Sequence, residues 1–302
     1  MSKPAHPFIG GTPWQDATGR FSLLKTVVLA CACAPAIWMA IEFTSGRWDF
    51  PSPYVNLIYH SGLWATYLLL ASLAVSPLRR ITGWGKLAQL RRLLGVSCFF
   101  YTAVHVVAWL GLRAWDTTTL VNEAVTRPSL WVASAATLVL FALTVTSVDA
   151  AIRVMGAERW KRLHSMVYAG ALLAVLHFLM SPGSLQGLPF LMAGAYVWLM
   201  GWRWLDRRRW GATPGPLALL GIASALFSML LQPLWLTTFQ AARTSQTPWQ
   251  VLADNFSADV WIYLGVPPVW LLLAWTVLTV AIAWYRARHA LPHTISRHRP
   301  TL

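Results

Sequence analysis

The sequence predicts an all-α integral membrane protein, a polytopic bundle of about eight transmembrane helices with both termini cytoplasmic. Three observations carry that reading. Hydrophobic residues make up 57% of the 302 and charged residues only 11%, against about 25% charged in soluble domains. Largely apolar runs of roughly 18 residues or more, the length that spans a bilayer as a helix, recur eight times. Basic residues crowd into alternate segments between those runs.

In chain order, the first run lies near 23–43, behind a polar segment of residues 1–22. It contains Ala34-Pro35-Ala36, which resembles a signal-peptidase site. The apolar stretch continues through Ile37-Trp38-Met39, so the run reads as a retained span. The second, near 55–76, gives way to Ser76-Pro77-Leu78-Arg79-Arg80, and the third, near 93–112, opens behind Arg91-Arg92. The fourth, near 129–148, follows Thr126-Arg127-Pro128, and the fifth, near 164–180, follows Glu158-Arg159-Trp160-Lys161-Arg162. The last three lie near 188–204, 216–236 and 260–284. No internal repeat or low-complexity tract stands out.

The net charge of +14 would suit a nucleic-acid partner, but its distribution does not. Twenty of the 24 Lys and Arg fall before the first run, in every second connection and in the tail. That alternation is the positive-inside pattern of eight spans. It marks a cytoplasmic membrane face and requires no nucleic acid. Many of the 19 tryptophans, Trp48, Trp84, Trp115, Trp160, Trp202 and Trp210 among them, fall near run ends, where indoles favour the interface. Cys31, Cys33 and Cys98 lie inside apolar runs with no metal-site spacing and pack as small apolar groups.

Of eight histidines, His6, His289, His293 and His298 lie in polar termini and His60 at the outer end of the second run. His105, His164 and His177 remain. His105 is 14 residues beyond Arg91 and His177 is 13 beyond His164, rises of ~21 and ~20 Å along helices that run the same way. The two imidazoles therefore reach one level in the outer half of the bilayer. A matched pair of this kind suits the axial positions of a haem iron. A hydrogen bond to a neighbouring helix or a proton relay is the alternative. No Asp or Glu lies inside the third to fifth runs except Asp149 at an edge, which weakens the relay. Gly95 and Ala103 leave room for a macrocycle, and Tyr101 and Trp109, one turn either side of His105, either wall it or pack helices. His164 sits at the inner level, where the third run offers Arg91 or Arg92. An imidazole and a guanidinium there suit an anion such as a haem propionate or flavin phosphate; the alternative is an interfacial histidine.

With these residues in order, the sequence resembles a known family. Ser76-Pro77-Leu78-Arg79-Arg80, Arg91-Arg92-Leu93-Leu94-Gly95 running through Phe99 and Tyr101 to His105, Thr126-Arg127-Pro128, Arg159-Trp160, Leu163-His164 and Val167-Tyr168 leading to His177 carry the likeness. It is to the membrane haem subunit of the bacterial periplasmic protein-methionine-sulfoxide reductase system, within the ferric-reductase-like transmembrane superfamily, over residues ~20–205. The resemblance implies a haem b subunit of the inner membrane, with FMN in some members. It implies electrons arriving from the quinone pool or a cytosolic flavin reductase and leaving to a periplasmic molybdopterin-containing methionine-sulfoxide reductase. His105 and His177 match the axial ligands and His164 a third family histidine. Relatives with two stacked haems carry a fourth, where this chain has Arg91 or Arg92. The subunit would not itself be the catalytic one.

The expected organisation is a cytoplasmic segment 1–22, a haem-binding domain 23–205, a two-helix membrane extension 206–285 and a basic tail 286–302. Residues 214–285 lie outside the resemblance. Two other functions, a His-lined transporter and a stand-alone ferric reductase, have sequence requirements of their own. A transporter would want paired, Gly/Pro-broken helices in two halves. A stand-alone ferric reductase would want a nucleotide-binding domain, and no G-x-G-x-x-G follows a strand.

Overall fold

A computed structural model describes residues 12–15, 18–181, 187–239, 241 and 245–289. They form helices joined by short connections, with one isolated antiparallel bridge, Gln15 to Phe21. The expectations for His6, His293 and His298 fall outside the described residues.

Among the described residues, seven helical stretches are long and apolar enough to cross a membrane. They are α1 (Leu23–Thr44), α2 (Pro53–Thr82), α3 (Leu90–Leu112) with the 3₁₀ turn Gly85–Gln89 before it, α5 (Pro128–Val145), the pair α7 (Ala157–Ser165) and α8 (Val167–Met180), α10 (Pro214–Phe239) and α13 (Pro268–His289). The chain is a multi-pass membrane protein. The sixth apolar run forms α9 (Leu188–Arg207), whose 20 residues reach ~30 Å. It carries Arg203, Asp206 and Arg207 in its last turns and is not among the seven. Short helices complete the chain: α4 (Thr117–Thr126), α6 (Asp149–Met155), α11 (Pro248–Asp254) and α12 (Ala258–Leu264).

Local chemistry explains where the boundaries depart from the hydropathy pattern. Ser52 caps α2 by accepting from the Val55 N–H, and Pro53 pre-sets its first turn,. That helix then runs past the apolar run through Arg79 and Arg80 to Gly83, which is left-handed at φ 73°,. The connection 113–128 is not a bare loop. Asp116 accepts from the Thr119 N–H at 2.9 Å and starts α4. Hydrogen bonds from Thr119 also hold the Asp116 carboxyl below its usual range. The last run begins at Pro268, not 260, because Pro267-Pro268 separates α12 from α13,.

α2 is the hub. It packs most extensively on α3 and also meets α1, α8, α9 and α13. The buried core includes Leu69, Ile81, Cys98, Phe190, Trp198 and Leu217. α10 and α13 pack on each other and on α9. Arg286 of α13 then reaches the end of α2, donating from Nη1 to the carbonyls of Arg80 at 3.0 Å and Ile81 at 2.9 Å. Terminal helix carbonyls lack intrahelical donors, so the guanidinium closes that end. Gly83 permits the approach, since a Cβ there would lie 2.5 Å from Arg286 Nη2.

Candidate functional site

Two helix pairs face each other across the middle of the bundle, α3 with α2 and α8 with α5. His105 projects from α3 and His177 from α8, and their ring centroids stand 6.2 Å apart with planes 86° to each other. Each ring is fixed by a main-chain carbonyl on its neighbouring helix. His105 Nδ1 lies 2.8 Å from the Ile58 oxygen of α2. His177 Nδ1 lies 3.1 Å from the Ser129 oxygen of α5. A carbonyl can only accept, so Nδ1 carries the proton on both rings and Nε2 keeps its lone pair. A backbone acceptor of this kind is how proteins orient a metal-binding imidazole and fix its tautomer.

The spacing suits one metal ion. Two imidazole nitrogens each ~2 Å from a shared metal, an ordinary metal–imidazole distance, place the ring centroids roughly 6 Å apart. Among the described residues no group of three or more His, Cys, Asp or Glu could hold a metal. Any metal on this pair would take its other donors from outside the protein. A porphyrin supplies four nitrogens, so the two residues fit a haem.

Gly62 on α2 sets how closely that helix approaches the site. A Cβ there would fall 2.9 Å from His105 Nδ1 and 3.0 Å from Cε1, so any larger residue would push the ring off the Ile58 carbonyl. Of the two expectations for Tyr101, the structure shows helix packing. Tyr101 is 1% exposed and donates from its hydroxyl to the Ala32 oxygen of α1 at 2.6 Å. Its phenol is polar and needs a partner when buried, and α1 supplies one. Gly95 faces open space, with nothing within 4 Å of where a Cβ would sit.

The inner residues separate. His164 stacks on Trp160, with ring centroids 3.9 Å apart, and its Nε2 lies 3.1 Å from Thr146 Oγ1. Thr146 gives its own hydroxyl proton to the Ala142 oxygen at 2.7 Å. His164 Nε2 therefore carries a proton and donates, the reverse of the outer pair. Arg92 forms an ion pair with Asp149, whereas Arg91 turns to α2 and donates to Ser76 Oγ at 2.7 Å. The structure thus brings His105 and His177 together and leaves His164, Arg91 and Arg92 on separate partners.

Above the pair, Glu123 of α4 is 8% exposed and lies between two guanidiniums. Its Oε1 is 2.8 Å from Arg113 Nη2 and 3.0 Å from Arg127 Nη2. Arg113 ends α3 and Arg127 precedes α5, so this triad ties the helix of His105 to the helix whose carbonyl orients His177.

Comparison with known proteins decides the family. Residues 61–175 match the family described as ferric reductase like transmembrane component. The protein-methionine-sulfoxide reductase heme-binding subunit MsrQ of Azospira oryzae is 33% identical over 201 residues, 65% of this chain and 84% of the relative. The chain belongs to the MsrQ family. The MsrQ of Xanthomonas campestris pv. campestris is 39% identical over 59% of this chain and 84% of its own length. That of Xanthomonas euvesicatoria pv. vesicatoria is 38% identical over 64% and 93%. No solved structure matches. For an MsrQ chain, the residues that sequence reasoning misses are Ile58, Gly62, Glu123 and Ser129. Ile58 and Ser129 act through main-chain oxygens, which carry no signature. Gly62 offered a weak signal as a glycine inside a helix.

Proposed function

We propose that this chain is the haem b electron-transfer subunit of a methionine-sulfoxide reductase system in a bacterial inner membrane. It takes electrons on the cytoplasmic side from the quinone pool or a cytosolic flavin reductase. It passes them to a periplasmic molybdopterin-containing reductase that repairs methionine sulfoxide in proteins. The observation carrying this reading is the facing pair His105 and His177, with each Nδ1 spent on a carbonyl and each Nε2 free.

Haem, when bound, supplies a one-electron carrier at the level of these two rings. The residues do the rest. Ile58 and Ser129 hold the imidazoles in one tautomer, so no proton need move at Nε2. His105 lies about 10 Å along α3 from its outer end at Leu112,, close to a docked periplasmic protein. At the other face, Arg79, Arg80, Arg91, Arg92, Arg159, Lys161 and Arg162 form a basic rim that attracts anionic donors, a reduced flavin such as FMN among them. His164, with Arg91 and Arg92, belongs to this entry side. Residues 23–205 form the electron-carrying domain and 206–285 a membrane extension.

In proteoliposomes of known orientation, a membrane-impermeant reduced flavin is expected to reduce the haem from the basic face only. Reversing Arg159, Lys161 and Arg162 to glutamate is expected to slow that step by about tenfold at low salt, with the difference shrinking at high salt. Equal reduction from both faces would contradict the polarity.

A further inference from the structure

Among the described residues, Arg79, Arg91 and Arg203 have no acid within ion-pair distance, and their geometry points to a phosphate-binding site. They come from three helices. Arg91 of α3 is held by Ser76 Oγ at 2.7 Å. Arg203 of α9 is held twice, donating from Nη1 to the Leu199 oxygen at 2.6 Å and from Nη2 to the Leu73 oxygen at 3.1 Å. The Leu73 carbonyl is available because Pro77, four residues on in α2, has no N–H to give it,. Leu73 and Ser76 are one turn apart on α2, so the two guanidiniums dock side by side. Arg79, the next turn of α2, and Tyr168 are within electrostatic reach of Arg91. The Arg203 guanidinium lies 4.7 Å above the Tyr168 ring.

The neighbouring carboxylates are already taken, Asp149 by Arg92 and Asp206 by Arg80 at 3.6 Å. Among the described residues, no acid lies within ion-pair distance of Arg79, Arg91 or Arg203. Ordinary inner-face arginines spread into solvent. Arg91 is exposed but tied to Ser76, and Arg203 is half-buried and tied to two carbonyls; two neighbouring cations held this way repel, and an anion between them relieves that repulsion. Arg91 and Arg203 retain unspent N–H groups in the fork arrangement that suits phosphate oxygens. We infer that Arg79, Arg91 and Arg203, with Tyr168 beside them, bind a phosphate group. Its bearer is either an anionic phospholipid or a soluble phosphomonoester. The inference does not depend on haem, and it moves the inner anion site away from His164 and Arg92.

The test is binding to the purified full-length chain, by native mass spectrometry and thermal shift. One arm compares phosphatidylglycerol with phosphatidylcholine in nanodiscs, and the other compares riboflavin 5′-phosphate with riboflavin. A preference for phosphatidylglycerol assigns a lipid, and a preference for the 5′-phosphate assigns a soluble ligand. In either arm, Arg79→Gln and Arg91→Gln should each weaken binding roughly tenfold or more. Arg79→Gln leaves the Arg91–Ser76 contact intact, so its loss of binding cannot be blamed on misfolding of α3. No preference in either arm, or affinity unchanged in both variants, overturns the site.

Discussion

Replacing either His105 or His177 with alanine is expected to abolish the low-spin haem spectrum while the protein still inserts in the membrane. The two rings face each other at 6.2 Å, and among the described residues no third His, Cys, Asp or Glu completes a metal-binding group with them. With one removed, a haem held between them would have one protein ligand instead of two. The helices should survive the change, because each imidazole supplies only one hydrogen bond to the neighbouring helix within a far larger packing contact. α3 is anchored by Tyr101 on α1 and by its long contact with α2, and α8 by α5 and α9. His60→Ala and His164→Ala are the controls. His60 packs against Trp38 and Trp48 and His164 against Trp160, so both variants should keep the low-spin signal. Absorption and electron paramagnetic resonance spectra of membranes from the four variants check this. An unaltered spectrum from His105→Ala or His177→Ala would remove the assignment.

The second large effect is expected at Glu123. Its carboxylate sits between Arg113 and Arg127, and neutralising it leaves two guanidiniums facing each other. Breaking a buried ion pair from one side costs about 3–5 kcal/mol. The two arginines are 27% and 53% exposed, and solvent screening lowers the expected cost to roughly 2 kcal/mol. For a chain of this size, Glu123→Gln should lower the melting temperature in mild detergent by roughly 5 °C. It should also broaden the haem resonance, because Ser129, two residues beyond Arg127, orients His177. Arg127→Gln, which leaves the Arg113–Glu123 pair, should cost less than half as much. Equal melting temperatures for all three proteins would show that the triad does not fix the outer ends of the helices.

Much of the architecture was legible in the sequence because the bilayer imposes a length and a polarity. All eight apolar runs are helical. Their misplaced edges trace to local chemistry that hydropathy does not register: the Ser52 cap and Pro53 before α2, and Pro267-Pro268 before α13. The level of His105 and His177 was legible too, since helix rise converts residue number into depth. Azimuth was not. Counting along α3 puts Tyr101 one turn from His105, but its hydroxyl follows an acceptor on α1. Arg91 and Arg92 were interchangeable in sequence, and only the tertiary placement of Ser76 and Asp149 separates them. Nothing in the sequence marks Glu123 as buried, because α4, which buries it, is set by the Asp116 cap and not by hydrophobicity.

The most direct test is the number and ligation of haems in the purified chain. Pyridine haemochrome quantification against protein mass, with electron paramagnetic resonance on the same sample, measures both. One facing pair of imidazoles predicts one haem b per chain with a low-spin, bis-histidine signal. Two haems per chain, or one with a ligand other than two histidines, would contradict it.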